Sequence, residues 1–355
     1  MLIKNKGKSI LVFLLLTLLI IIGVLAYVHF IYQPPKVDSG FVKLRYTFSR
    51  HTHIVTGVRF TPNDSLLITG SVDSTLMLWN RATGAVIRTI RQPGGITYLD
   101  LSTDGNFVVT GSYDGIVRIW NISNGALMQE LKGSKGTVWT VAFSSDGKFV
   151  AASGDDRDIK IWRTETGELM HTLKGHKRIV WSVKFSPDGR TLASASYDYS
   201  LKLWNVADGK LLRDNHEHKE TVVDIAFSHN GKMLASTSDD CTIKLWNTAG
   251  GSLIRSMKVP EHVQAVAFSP DDTLLMTGGR DKTMAGELVQ NFFGTAENNK
   301  GVSARLWDVS TGTLLHSFTH HNDDVMDIAY SHDGRWIATA SADKTVDVWE
   351  VSSLR

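Results

Sequence analysis

Tryptophan closes a short motif at seven places: LWN, IWN, IWR, LWN, LWN, LWD and VWE put it at Trp79, Trp120, Trp162, Trp204, Trp246, Trp307 and Trp349. The successive spacings are 41, 42, 42, 42, 61 and 42 residues. A period this regular restricts the chain to repetition of one structural unit, each copy burying its apolar face against the next. The fourth copy shows what the unit is. A strand from Ile179 to Phe185 leads through Pro187-Asp188-Gly189 to a second strand, Thr191 to Ser196. Tyr197-Asp198-Tyr199 turns into a third, Leu201 to Trp204, and Ala207-Asp208-Gly209 into a fourth, Lys210 to Arg213. The runs are rich in the β-branched and aromatic residues that strands favour, and the turns carry Asp or Gly where the backbone reverses.

Seven such units predict an all-β fold made by radial or linear repetition of one four-stranded antiparallel unit. From residue 41 to 355 the chain resembles the WD-repeat family, whose pattern sets Gly-His before the first strand, Asp in the second turn and Trp-Asp after the third strand, and the resemblance implies a seven-bladed β-propeller of four-stranded antiparallel blades. The turn Asp stands six residues before the Trp as Asp73, Asp114, Asp156, Asp198, Asp240 and Asp343, while Asp281 is displaced by an insertion. The His is kept as His51, His176, His218 and His321, and Gln92, Ser134 and Val259 replace it elsewhere. The resemblance implies a buried network of His, Asp, Ser/Thr and Trp inside each blade, so the three blades without His are expected to be looser there.

After Trp349 only Glu350 to Arg355 remain, too short for a fourth strand. The segment FVKLRYTF at 41–48 aligns with GELMHTLK of the third unit, and is expected to complete the seventh blade from the other end of the chain. That closure removes an exposed sheet edge.

Ahead of the repeats, Lys4, Lys6 and Lys8 precede an apolar run from Ile10 to Val28 broken only by Thr17 and Gly23. A helix needs roughly 20 such residues to cross the hydrocarbon, and its basic flank stays cytoplasmic. Residues 1–32 are therefore expected to be a cytoplasmic stub and one transmembrane signal-anchor helix, touching the membrane through residues 10–32 and preceding the propeller. Residues 33–40 then form a linker stiffened by Pro34 and Pro35, and 41–355 an extracytoplasmic propeller. The competing expectation is cleavage after Val24-Leu25-Ala26 and secretion. The continuation of apolar and aromatic residues from Tyr27 to Tyr32 favours retention. A short anchor without a cytosolic domain looks bacterial.

A formal net charge of +2 with no Lys/Arg cluster in the repeats argues against nucleic acid as a partner. One cysteine, Cys241, leaves no internal disulfide. No phosphate-cradling loop, nucleophile elbow or zinc-protease helix is present, so no catalytic residue, cofactor or metal is expected. His216 and His218 beside Glu217 offer only two imidazole donors, and Asp155, Asp156 and Asp158 read as solvated turn carboxylates.

Repeat scaffolds take their specificity from positions where the units differ. The second residue of the first strand, expected at the mouth of the central channel, reads Thr56, Thr97, Trp139, Trp181, Val223, Gln264 and Met326. The residue before the turn Asp, on the same face, reads Val72, Tyr113, Asp155, Tyr197, Asp239, Arg280 and Ala342. Tyr113, Trp139, Trp181 and Tyr197 with Asp155 and Asp239 are the expected partner-binding residues, suited to a peptide or protein presenting Arg or Lys. Against this, simple strand alternation puts Trp139 with Val141 and Phe143, and Trp181 with Val183 and Phe185, packed between blades. The extra 19 residues of the sixth unit carry Met284, Leu288 and Phe292 at helical spacing with Val289 and Phe293 beside them. Phe292 and Phe293 are the second expected contact, on a short amphipathic helix. The expected role is that of a monomeric, non-enzymatic scaffold or sensor module. The alternatives are a propeller enzyme using Asp155, Asp239, Arg280 and His262, and an architectural part of envelope assembly.

Overall fold

Short β-branched runs separated by tight turns pair with their neighbours in sequence, because reversals of three to five residues leave little reach for anything else. A computed structural model of the protein, describing residues 42–259, 262–279 and 304–352, has this arrangement. Its twenty-eight strands form seven separate antiparallel sheets of four. Blade 4 is representative: its inner strand is Val180–Phe185, followed outward by Thr191–Ser196, Leu201–Asn205 and Leu211–Asn215. The described residues belong to one compact unit, 40–355. Among them no helix is long and apolar enough to cross a membrane. The apolar run from Ile10 to Val28, Phe41 of the closing segment, and the insertion with Phe292, Phe293 and Arg280 all lie outside the described residues.

Blade 7 is assembled from both ends of the described chain, in the order Val42–Phe48, Val346–Val351, Trp336–Ser341, Val325–Tyr330 from rim to axis. Val42 pairs with Val351 and Phe48 with Val346, so the N-terminal strand takes the outer place of the seventh blade. Thr47 donates its hydroxyl to Asp347 at 2.7 Å, and Arg45 pairs with Glu350.

The core is divided among the gaps between blades. The 7–1 gap holds Phe48, Ala338, Val346 and Val348 against Val55, Leu67 and Trp79, and each of the other six gaps has a cluster of the same kind. Sheets whose two faces are both covered bury side chains on both sides, which is why Val180 and Val183 of an inner strand and Leu192, Ala193 and Ala195 of the next are all fully buried.

The network implied by the resemblance is built in the four blades that keep the His. In blade 4, His176 Nδ1 lies 3.0 Å from Asp198, its Nε2 lies 2.7 Å from Ser194 Oγ, and Trp204 Nε1 donates to that same hydroxyl at 2.8 Å. In blade 2 Gln92 substitutes for the His by accepting the Thr110 hydroxyl at 2.9 Å, so a polar contact survives where a looser corner was expected.

Candidate functional site

Every inner strand carries a β-bulge at its second residue. The register slips between Val55 and Gly57, Ile96 and Tyr98, Val138 and Thr140, Val180 and Ser182, and likewise in blades 5 to 7. A bulge inserts an unpaired residue and re-aims its side chain. Alternation therefore fails where it was used to assign Trp139 and Trp181 to the inter-blade core. Val141 and Val183 are fully buried, whereas both indoles are half-buried and turn toward the axis. All seven second residues, Thr56, Thr97, Trp139, Trp181, Val223, Gln264 and Met326, line one cavity of about 150 Å³ at the channel mouth.

The aromatic residues there form a contiguous arc. The rings of Trp139 and Trp181 are centred 4.9 Å apart at 50°, and Tyr113 meets Trp139 edge-on at 5.5 Å and 85°. Tyr113 is 45% exposed and lies over Gly95, where an added Cβ would sit 3.0 Å from the ring. Trp139 donates its indole N–H to Asp155 at 2.7 Å, and the other carboxylate oxygen of Asp155 accepts the Thr137 amide at 2.9 Å. That close approach needs Gly154, because the Thr137 carbonyl lies 1.9 Å from where any Cβ would stand. No hydrogen bond to Trp181 Nε1 is formed by any described residue.

The expected site is thus only partly assembled. Tyr113, Trp139 and Trp181 come together, with Asp155 bound to the arc. Tyr197 does not line the cavity and lies under the Arg178 guanidinium at 5.1 Å. Asp239 does not line it either and pairs with His262 at 3.2 Å. Phe292 and Phe293 lie outside the described residues.

Below the mouth is a group of residues that repeat reading passed over. The third and fifth residues of the inner strands project into the channel, and five of them are charged: Arg59, Asp100, Lys184, Asp224 and Asp327. Arg59 donates to Asp327 at 2.6 Å, to Asp100 at 3.2 Å and to the Tyr98 hydroxyl at 2.9 Å. Tyr98 also accepts from Lys184 Nζ at 2.8 Å and lies 3.2 Å from Asp327. Asp224 accepts the Ser182 hydroxyl at 2.8 Å and the Val266 amide at 3.0 Å. Such bonds stitch neighbouring blades: Asp327 takes the Val58 amide of blade 1, and Asp100 the Phe143 amide of blade 3, each at 2.9 Å.

Burial and the neighbouring charges together set the titration of this group. It pushes the Tyr98 phenol up to about 12 and raises the Asp224 carboxyl despite Lys184 beside it. Burial also opposes the charge on Arg59, but Asp327, Tyr98 and Asp100 outweigh it and hold the guanidinium protonated. The sequence signal was a charged residue at alternate positions of otherwise apolar strands, as in VTGVRF, VWSVKF and VVDIAF.

A family model described as the WDR36/Utp21 second beta-propeller domain matches residues 97–284, just over half of the chain. The model of the WD domain, G-beta repeat, matches residues 42–80 and 312–350. The chain belongs to the WD-repeat β-propeller family. Among its relatives in that family are Autophagy-related protein 16 of Arabidopsis thaliana, 28% identical over 24% of this chain and 22% of the relative. Nuclear distribution protein nudF of Aspergillus niger is 29% identical over 28% of this chain and 19% of the relative. Protein Mut11 of Chlamydomonas reinhardtii is 43% identical over 16% of each. The chain matches about a quarter or less of the length of these WD-repeat relatives, all from eukaryotes, and they lend no support to a bacterial source.

Proposed function

We propose that this WD-repeat ring is a non-enzymatic scaffold that binds a peptide or protein at the channel mouth formed by Tyr113, Trp139 and Trp181. One observation carries the reading: seven equivalent, bulged residues converge on a single cavity, and two adjacent ones are indoles held against each other. Aromatic side chains presented at a concave mouth are the composition of binding hot spots, and Asp155 beside them favours a partner that presents Lys or Arg. WD-repeat propellers serve widely as protein-interaction scaffolds.

The ring is further proposed to be tethered to a membrane through residues 10–32 and displayed on the extracytoplasmic side. What supports this is the apolar run behind Lys4, Lys6 and Lys8.

Crosslinking and affinity capture from native membranes test the binding site, comparing the wild type with Trp139→Ala plus Trp181→Ala once both are shown to fold. Loss of a captured protein from the double variant is expected. An unchanged set of captured proteins removes the mouth as the binding site.

A further inference from the structure

The inner strands place three carboxylates and two cations in the channel: Asp100, Asp224 and Asp327 against Arg59 and Lys184. Arg59 is claimed by Asp327 and Asp100. That leaves Asp224 with Lys184, whose ammonium donates to the Tyr98 oxygen at 2.8 Å and lies 4.5 Å from the centre of that ring. One negative charge is in excess in a confined, largely desolvated space, an arrangement that costs free energy until a cation neutralises it.

Asp224 is also the carboxylate that the mouth reaches. It lines the cavity together with Ser182 and Tyr98, below Trp139 and Trp181. Its two oxygens each accept one hydrogen bond, from Ser182 and from Val266, and a carboxylate has lone pairs for more. The cavity, at about 150 Å³, has room for one long side chain and not for a loop.

We infer that Asp224 reads the partner: a single lysine or arginine side chain passes the indoles of Trp139 and Trp181 and sets its cation on Asp224 at the cavity floor. This rests on the mouth being the binding site and names the group that gives it specificity. The aliphatic stem is covered by the indoles while the charged head is held below, the division of labour that suits amphipathic side chains. Lys184 is the internal competitor for the same carboxylate, so the two residues have opposite effects on affinity.

The experiment is panning of a displayed library of random dodecapeptides on the full-length protein, followed by titration of synthetic enriched peptides. The enriched peptides are expected to share one basic residue, and Asp224→Asn to weaken their binding about tenfold or more, the scale of losing a buried charge partner. Lys184→Met is expected to strengthen it several-fold, an outcome that simple loss of structure does not produce. Versions of one peptide with lysine, arginine or norleucine at the shared position identify the preferred base. Equal binding of the norleucine peptide overturns the inference. If Asp224→Asn does not fold, Lys184→Met decides, and unchanged or weaker binding overturns it. Peptides lost on Trp139→Ala plus Trp181→Ala but indifferent to both channel variants leave the mouth standing and remove Asp224. No enrichment, or binding indifferent to all the variants, removes both.

Discussion

Phe48, near the N-terminal end of the ring, stacks on Trp79 of blade 1 with ring centres 5.0 Å apart and planes within 14°. Phe48 belongs to the strand that completes blade 7, so this contact joins the closing strand to the neighbouring blade as well as to its own sheet. Both side chains are buried.

Phe48→Ala is expected to cost about 3–5 kcal/mol, the range for truncating a buried aromatic. Removal of residues 42–48 should do more, because it also exposes the edge of Val346–Val351. Urea denaturation followed by fluorescence measures both. A closing-strand deletion that melts with the wild type would show that the ring does not depend on this strand.

The tryptophans separate into two classes by stability. Trp79→Ala removes a fully buried indole that donates to Thr69 at 2.8 Å, and about 3–5 kcal/mol should be lost. Trp139→Ala and Trp181→Ala remove half-buried indoles from the mouth, and each should cost less than half as much while abolishing partner capture. Comparable destabilisation by all three changes would place the mouth indoles in the core.

Asp327 is 3% exposed, and its carboxylate holds both Arg59 and the Val58 amide. Asp327→Asn leaves the guanidinium short of its closest counter-charge and should destabilise by about 3–5 kcal/mol. Adding Arg59→Met should restore part of the loss. A double-mutant cycle measures the coupling, and simple additivity would mean that the two residues do not act as a pair.

Acid should weaken the fold in two stages. His51, His176 and His218 have lowered affinities for a proton, chiefly through burial, against which Asp73, Asp198 and Asp240 act. The unfolded chain therefore binds protons on these side chains first, and stability present above a pH of about 6.5 declines below it. Asp73, Asp198, Asp240 and Asp343 are held below the usual carboxylate range, against burial, by hydrogen bonds from Ser or Thr hydroxyls, His rings and backbone amides. Their contribution persists above a pH of about 4 and is lost as pH falls further. Urea midpoints from pH 8 to pH 3 report both stages, and His176→Gln should flatten the first.

The proposed tether predicts retention of intact protein in membranes washed with alkaline carbonate. A released chain beginning just after Ala26 would instead identify a cleaved signal.

The 42-residue period with its strand runs and turns specified one four-stranded unit, the resemblance to the WD-repeat family implied the closed ring, and residues 41–48 were legible as the closing strand by their likeness to the fourth strands of other units. The strands of blade 4 fall within about two residues of where pattern placed them. The mouth positions were legible too, since equivalent residues of identical units share a radius and a height. Alternation misled only over the direction of Trp139 and Trp181, because one bulged residue shifts everything before it relative to everything after it. The grouping of Tyr113 with the two indoles, the separation of Tyr197 and Asp239 from them, and the channel network of Arg59, Tyr98, Lys184, Asp224 and Asp327 were decided by tertiary structure. Residues up to about 270 positions apart meet there because curling seven blades into a circle brings every inner strand to one axis. A repeat pattern describes each blade by itself, whereas charges facing one another across that axis depend on the closed ring.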